Sequence, residues 1–241
     1  MNSVLNQLFY YSQSIDIVLM SKIMVSAVIT AAGKNRRMIE DLKSRKQEIK
    51  HKLLMDIGGK PVILHTIDNV LKSGVDECRV VLGHFSEEIG PVLEDYPDER
   101  LKIVKNTDKN VELSETLLNG VQNSSSGLVL CAAGDQPTVT AETYRNLIET
   151  ATNYRDPENI VSILAREATG LLKTAKGLGM PFICHSDLLL KYLPHDKNNL
   201  NPILIKMIGD GVVFYGIPSL NKLELININT YQDYIDIKDH L

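Results

Sequence analysis

The sequence predicts an α/β fold: a single Rossmann-like domain with a mostly parallel mixed sheet flanked by helices. Three observations carry this prediction. Runs of β-branched and aliphatic residues alternate with helix-patterned segments, the run Leu128 to Ala132 has no polar face, and Gly, Pro and Asn mark the boundaries. At 241 residues the chain is long enough to bury one sizeable core.

The first strand is read at Val25 to Ala31. Pro61 opens a helix through Lys72, with Val62, Leu64, His65, Val70 and Leu71 on or near its buried stripe, and Ser73-Gly74 ends it. Arg79 to Leu82 is the second strand, followed by Gly83 and a short helix from Ser86, and Leu101 to Lys105 is the third. Ser114 is expected to cap a helix reaching about Asn123, ahead of the apolar strand at Leu128. Thr140 starts the next helix with Glu142 in its first turn, and Ile160 to Ala165 is a further strand. Gly170 to Pro202 is punctuated by Gly, Pro and Asn and is expected to wrap one side of the site around short helices. Gly211 to Tyr215 and Leu223 to Ile228 are read as the last strands, and a helix closes the chain. No internal repeat or linker divides residues 24–241, while residues 1–23 read as an N-terminal extension.

Composition narrows the function classes. The chain is 44% hydrophobic and 23% charged, an ordinary globular profile, and its net charge of −4 provides no global basic field for a nucleic-acid backbone. Any anion must therefore be bound locally, and nucleic acid is not an expected partner. No apolar run approaches the roughly 20 residues that span a bilayer. The first 23 residues lack a basic residue before Lys22 and a cleavage-like pattern, so a cytoplasmic protein without a membrane partner is expected. Cys78, Cys131 and Cys184 are odd in number and sit in apolar contexts, which suits core residues better than a disulfide or metal framework. The N-terminal arm leaves a homo-oligomer open.

In open sheets of this kind ligands sit beyond the carboxyl ends of the strands, so Gly33 onward, Gly83-His84, Asp135 and Asn227 to Thr230 are expected to meet. Ala31-Ala32-Gly33 would let backbone N–H groups approach a polyphosphate, and Lys34, Arg36 and Arg37 supply matching charge. Neither a Walker loop nor a dinucleotide fingerprint is present, and taken alone a solvated basic turn explains this segment equally well. Lys52-Leu53-Leu54 adds a cation just before Gly58-Gly59-Lys60-Pro61. Asp135, in Ala133-Gly134-Asp135-Gln136-Pro137, places a carboxylate at a strand's carboxyl end with no lysine or arginine adjacent in sequence. That suits a Mg²⁺ ion bridging phosphates, and it also suits a plain Asp-initiated turn before proline.

Taken together and in order, these motifs resemble the MobA-like nucleotidyltransferase family, the group that includes the molybdenum-cofactor guanylyl- and cytidylyltransferases. Ala31-Ala32-Gly33, Asn35, Arg37-Met38 and Lys52-Leu53-Leu54 are similar to the family's opening. Asn106, Thr116-Leu117 and Gly120 are similar to its middle segment, Asp135-Gln136-Pro137 to its metal-binding turn, and Asn227-Ile228-Asn229-Thr230 to its closing motif. The resemblance runs from about Val25 to the C-terminus. It implies a fold of the nucleotide-diphospho-sugar transferase type and a nucleotidyltransferase domain over 24–241. It further implies Mg²⁺-dependent transfer of a nucleoside monophosphate from a nucleoside triphosphate, CTP or GTP, to a phosphorylated acceptor such as a molybdopterin-type cofactor, with release of pyrophosphate.

Carried over residue by residue, Asp135 and Asn227 would hold the metal, and Arg37 and Lys52 would stabilise charge developing on the phosphates. Ala31, Ala32 and Gly33, with the neighbouring cations Lys34 and Arg36, would cradle the polyphosphate. Thr116 from the middle segment, and Gly83 and His84 from their place after a strand rather than from the resemblance, are candidates for the base pocket, although a histidine after a strand is more often a plain loop residue. The chain departs from the family in two places. Thirteen residues separate Met38 from Lys52, more than the family's usual gap, and they include Lys43, Arg45, Lys46 and Lys50. With Met38, Leu42 and Ile49 on one side, this insertion reads either as an amphipathic basic helix over the phosphates or as a surface loop. In the middle segment Glu112 stands for an expected glycine and Thr116 for a serine, which leaves the base open. Two other readings remain: a sugar-phosphate or other alcohol-phosphate nucleotidyltransferase, and an inactive nucleotide-binding regulatory protein. Retention of Arg37, Lys52 and Asp135 argues against the second. Ala133, two residues before Asp135, breaks the Asp-x-Asp pattern of a glycosyltransferase.

Overall fold

The structure is a computed structural model that describes residues 23–108, 110–125, 127–195 and 199–241, so residues 1–22 of the expected extension lie outside the described residues. In chain order, β1 (Val25–Ala31) leads to α1 (Arg36–Ser44), a hairpin of β2 (Asp56–Ile57) and β3 (Lys60–Pro61), α2 (Val62–Lys72), β4 (Glu77–Leu82), α3 (Ser86–Glu94) and β5 (Leu101–Lys105). Then come α4 (Leu113–Gln122), β6 (Leu128–Ala133), α5 (Ala141–Thr152), β7 (Ile160–Leu164) and β8 (Gly170–Leu171). β9 (Phe182–His185), α6 (Ser186–Tyr192), α7 (Leu200–Gly209), β10 (Val213–Ile217) and α8 (Tyr231–Lys238) complete the chain.

The main sheet runs β5-β4-β1-β6-β9-β7-β10-β8. β5, β4, β1 and β6 pair in parallel, as do β7 and β10, whereas β9 is antiparallel to both β6 and β7, and β8 is antiparallel to β10. This is the expected mostly parallel mixed sheet. Helices cover both faces: Ala27 and Ile29 of β1 pack with α2, α3, α5 and α8, while Val28 faces Leu117 of α4 and the cluster that includes α6 and α7. β6 is buried at every position, as its uninterrupted apolar run predicts. Gly120 lets α4 lie close on the sheet, because a Cβ there would stand 2.4 Å from Val28 Cγ1 and 2.9 Å from Val81 Cγ2. Cys78, Cys131 and Cys184 are free and buried, with burial pushing each thiol pKa upward. No described helix is long and apolar enough to cross a membrane.

Several elements differ from the sequence reading. β9 is not among the expected strands; it lies inside the Gly- and Pro-punctuated stretch and is only four residues long. Leu223 to Ile228 is not a strand: Lys222–Leu225 forms a 3₁₀ turn. The cause is the fully buried Glu224, whose Oε1 accepts from Thr140 N (3.0 Å), Thr140 Oγ1 (2.8 Å) and Thr143 Oγ1 (2.7 Å), and whose Oε2 accepts from Leu220 N (2.8 Å). α4 is capped by Glu112 in a reciprocal capping box with Glu115, and Ser114 is buried within the first turn. The buried stripe of α2 is Val62, Ile63, Thr66, Ile67, Val70 and Leu71, so Leu64 and His65 flank it. His65 Nε2 instead meets Ile57 O at 2.9 Å.

The insertion after Met38 is part helix. α1 buries Met38 and Leu42 but ends at Ser44, and Ile49 is exposed rather than on the apolar side. α1 is clasped to the C-terminal helix: Asp41 Oδ2 accepts from Tyr231 N at 2.9 Å, Asp41 Oδ1 accepts from Arg45 Nε at 2.9 Å, and the Arg45 guanidinium lies 5.6 Å from the centre of the Tyr231 ring.

Candidate functional site

Beyond the carboxyl ends of β1 and β6 opens a cavity of about 770 Å³. Its floor is Thr30 to Met38, its sides are His51, Lys52 and Leu53 with Val111 to Leu113 and Thr116, and its far wall is Ala133, Asp135, Met180, Asn227 and Asn229. A volume of this order is usual for a small-molecule site.

Local chemistry explains each position. Asn35 adopts the left-handed conformation (φ 54°), which asparagine tolerates better than most residues and which turns the chain from β1 into α1. Its carbonyl accepts the first helical bond from Ile39 N (3.0 Å), and its Nδ2 donates to Lys50 O (3.3 Å), tying both ends of the insertion together. Arg36 and Arg37 are exposed in the first turn of α1, where there is no acidic residue. A helix N-terminus disfavours cations, so two arginines there create a positive rim suited to an anion.

Across the cavity Gly134 N donates to Thr30 O (3.0 Å), and Thr66 Oγ1 donates to Gly134 O (3.2 Å), which holds the turn after β6 against β1. Asp135 then stands 15% exposed beside Lys52, which is 14% exposed, and Lys52 Nζ donates to Asp135 Oδ2. Although no cation neighbours Asp135 in sequence, the fold supplies one. Asn227 Nδ2 donates to Asp135 Oδ1 (3.0 Å), Ile228 N donates to Asp135 O (2.9 Å), and Lys52 Nζ also reaches Asn229 Oδ1 (3.4 Å). Glu224, three residues before Asn227, pins this tail segment to the start of α5.

Of the residues singled out from sequence, Ala31, Ala32, Gly33, Lys34, Arg36, Arg37, Lys52, Thr116, Asp135 and Asn227 line this one cavity. Gly83 and His84 do not. Gly83 supports the loop from behind, since a Cβ there would lie 2.7 Å from Ala32 Cβ. His84 is half-buried, with Nδ1 lacking a partner among the described residues. Thr116 is buried, and its hydroxyl accepts from Asn106 Nδ2 (3.1 Å), whose Oδ1 in turn accepts from Asn119 Nδ2 (2.9 Å).

Asn229, expected at the site as part of Asn227 to Thr230, lines the cavity, whereas His51 and Arg166 were not singled out. His51 adjoins the Lys52-Leu53-Leu54 motif, so proximity to a motif was the available signal; Arg166 had none. Arg166 lines a second cavity of about 560 Å³, with Gly177 to Met180 and Asn199 to Pro202. This second space shares Leu113, Ala133, Met180 and Asn227 with the first.

Among the described residues no group of three or more His, Cys, Asp and Glu side chains is placed to hold a metal ion. Asp135 is a hard-oxygen ligand of the kind Mg²⁺ takes, one or two to a protein site with phosphate and water completing the shell. Here its two oxygens accept from Lys52 and from the Asn227 amide nitrogen, so an ion would displace Lys52 toward phosphate and need the Asn227 amide turned over to present its oxygen.

The comparisons with known proteins bear on the same segments. A family model described as the MobA-like NTP transferase domain matches residues 27–199. A nucleotidyl transferase from Methanothermobacter thermautotroptrophicus is 43% identical and superposes with a TM-score of 0.84, covering 90% of this chain and 97% of that one. The 4-diphosphocytidyl-2C-methyl-D-erythritol synthase of Anaerococcus prevotii shares the fold, with a TM-score of 0.65 at 18% identity over 90% of this chain and 96% of that one. The bifunctional protein GlmU of Exiguobacterium sibiricum is 29% identical over 190 residues, 78% of this chain and 38% of the relative. GlmU of Staphylococcus epidermidis is 28% identical over 212 residues, 86% of this chain and 43% of the relative. The chain thus spans less than half the length of these curated relatives.

Proposed function

Because the chain belongs to the MobA-like NTP transferase family, we propose that it transfers a nucleoside monophosphate from a nucleoside triphosphate to a sugar-phosphate or other alcohol-phosphate acceptor, releasing pyrophosphate. The observation that carries this reading is the convergence of Gly33, Arg37, Lys52, Asp135 and Asn227 on one cavity from four separate stretches of chain.

The reaction needs little covalent help from the protein. A phosphate oxygen of the acceptor attacks the α-phosphorus, the bond to the β-phosphate oxygen breaks, and pyrophosphate carries away the electron pair. The acceptor phosphate is already ionised at neutral pH, so no general base is required. What the protein supplies is positioning and neutralisation of charge. Backbone N–H groups of Ala32 and Gly33 face the polyphosphate, Lys34, Arg36 and Arg37 balance its charge from the rim, and Lys52 reaches the reacting phosphate from the side. Asp135 and Asn227 would hold Mg²⁺, which supplies Lewis-acid polarisation of a phosphoryl oxygen when bound.

The second cavity suits the acceptor because it opens beside Asn227 and carries one cation, Arg166, with no carboxylate among its described lining residues. Besides Arg166, its described lining residues are glycine, asparagine, proline, methionine and aliphatic residues, none of them aromatic. That lining favours a hydroxyl-bearing phosphate over a flat pterin, which would gain from stacking, and it is why a molybdopterin-type acceptor ranks second.

The test is a thermal-shift panel of CTP, GTP, ATP and UTP, with and without Mg²⁺, on wild type and Asp135→Ala. A ligand bound only by the native state raises its melting temperature. At least one triphosphate should do so, with a Mg²⁺ increment that Asp135→Ala removes. If no triphosphate shifts the melting curve, or if the Mg²⁺ increment survives in Asp135→Ala, the reading is wrong.

A further inference from the structure

His51 is the last residue of the charged insertion, directly before Lys52, and has no place in the reaction as described so far. It is 3% exposed, yet it lines the larger cavity. Its ring packs against Phe85 with centroids 4.4 Å apart and planes tilted by 49°. Nδ1 accepts a hydrogen bond from Leu53 N at 3.2 Å, closing the 3₁₀ turn that carries Lys52. A ring nitrogen that accepts cannot also carry the proton, so in a neutral imidazole the proton resides on Nε2. Burial, reinforced by the Lys52 charge and opposed by the Gly33 backbone and Asp135, pushes the pKa down to about 4, so the ring is neutral at physiological pH.

Nε2 is buried and makes no well-formed hydrogen bond among the described residues; the Gly33 backbone, whose hydrogen bonding raises the ring's pKa, is its nearest competing partner, so a phosphate oxygen reaches Nε2 only as the loop at Gly33 adjusts to the ligand. A buried N–H without an acceptor costs on the order of 1–3 kcal/mol, which a structural histidine would be expected to avoid. An apolar ring would fill the space against Phe85 but forfeit the acceptor for Leu53 N, so the turn accounts for Nδ1 and leaves only the Nε2–H without a task. The cavity beside it is rimmed by Lys34, Arg36, Arg37 and Lys52, a setting for an anion rich in acceptor oxygens.

We propose that His51 is a binding residue whose Nε2–H donates to a phosphate oxygen of the bound polyphosphate. This inference rests on reading the cavity as a triphosphate site. It gives the insertion a purpose, since Asn35 Nδ2 holds Lys50 O and so fixes the backbone that delivers His51. A neutral donor also adds a hydrogen bond without adding a charge beside Lys52, where a second cation would be repelled.

The experiment uses the full chain labelled with ¹⁵N-histidine, with long-range ¹⁵N–¹H correlation spectra recorded before and after addition of inorganic tripolyphosphate and Mg²⁺. The His51 signals should show the Nε2–H tautomer throughout, and the Nε2 resonance should move in step with binding. His51→Phe, which keeps a ring on Phe85, should weaken tripolyphosphate binding roughly ten- to a hundredfold, the usual loss for a hydrogen bond to a charged group. His51→Gln, whose amide nitrogen can stand near Nε2, should recover most of that loss. Melting curves of both variants show whether they fold. An Nδ1–H tautomer, an Nε2 resonance that stays still while tripolyphosphate binds, or a folded His51→Phe that binds as wild type would each overturn the proposal. Failure of wild type to bind tripolyphosphate or any nucleoside triphosphate would instead remove the proposed function itself, and with it this donor's role.

Discussion

Replacing Glu224 by alanine removes the acceptor for two backbone N–H groups, Thr140 and Leu220, and for the hydroxyls of Thr140 and Thr143, at a site with no solvent exposure. The hydroxyls can rotate toward other acceptors, but the two N–H groups cannot. At about 1–3 kcal/mol for each orphaned buried donor, the loss should be on the order of 2–6 kcal/mol. For a chain of this size 1 kcal/mol moves the melting temperature by roughly 2–4 °C, so a fall of about 5–20 °C is expected. Glu224→Gln keeps the volume and the Oε1 acceptor and sets only its amide N–H₂ against Leu220 N, so it should lose about half as much or less. The assay is urea denaturation with circular dichroism, paired with thermal melting. Because Glu224 anchors the segment that carries Asn227 and Asn229, both variants should also lose nucleotide-induced stabilisation under conditions where they remain folded. A Glu224→Ala protein as stable as wild type, to within about 1 kcal/mol, would show that this buried carboxylate does not hold the tail and would refute the reasoning.

Other outcomes follow from the same contacts. Gly120→Ala should destabilise by about 1–3 kcal/mol in urea denaturation, because the new methyl would enter the space of Val28 and Val81 and push α4 off the sheet. The hydrogen bonds from Arg45 and Tyr231 hold the Asp41 carboxyl below the usual carboxylate range. Its contribution is therefore full above the ordinary carboxyl pKa and lost as pH falls through the lower folded value, and the Tyr231 amide resonance should titrate with that low midpoint and stop doing so in Asp41→Asn. For His51, the unfolded chain binds a proton near pH 6.5 and the folded chain only near pH 4, so the associated stability is present above about 6.5 and lost as pH falls toward 4. His51→Gln should flatten that slope, and an equal slope in both proteins would contradict the buried, neutral imidazole.

Much of the fold was legible because its signals are local. β1 and β5 run over the predicted residues, and β6 extends the predicted strand by one, since apolar runs between turn residues leave few alternatives. β9 escaped because four residues provide too little periodicity to stand out beside turn-forming neighbours such as Gly177, Gly179 and Pro181. The misread tail is a tertiary effect: Leu223 to Ile228 has strand-like composition, but the demand of the α5 N-terminus for an acceptor bends it around Glu224. In the site, the motif residues were visible as types at recognisable spacing, whereas the Lys52–Asp135 pair joins positions 83 residues apart and had no signal in either neighbourhood. Gly83, expected near a ligand from its place at a strand's carboxyl end, lies outside the cavity lining and packs closely under Ala32.

In the proposed reaction this cavity moves a nucleoside monophosphate from a triphosphate to a phosphorylated acceptor. The direct measurement is to incubate wild type and Asp135→Ala with α-³²P-labelled triphosphates, Mg²⁺ and a panel of sugar phosphates and alcohol phosphates, and to follow the label by chromatography together with pyrophosphate release. With at least one pair of substrates, the wild-type protein should move the α-label onto the acceptor with one pyrophosphate released per transfer, and Asp135→Ala should fall roughly a hundredfold or more short, in the range seen when a group that stabilises transition-state charge is removed. Label that never leaves the triphosphate across the panel, or transfer that survives intact in Asp135→Ala, would contradict it.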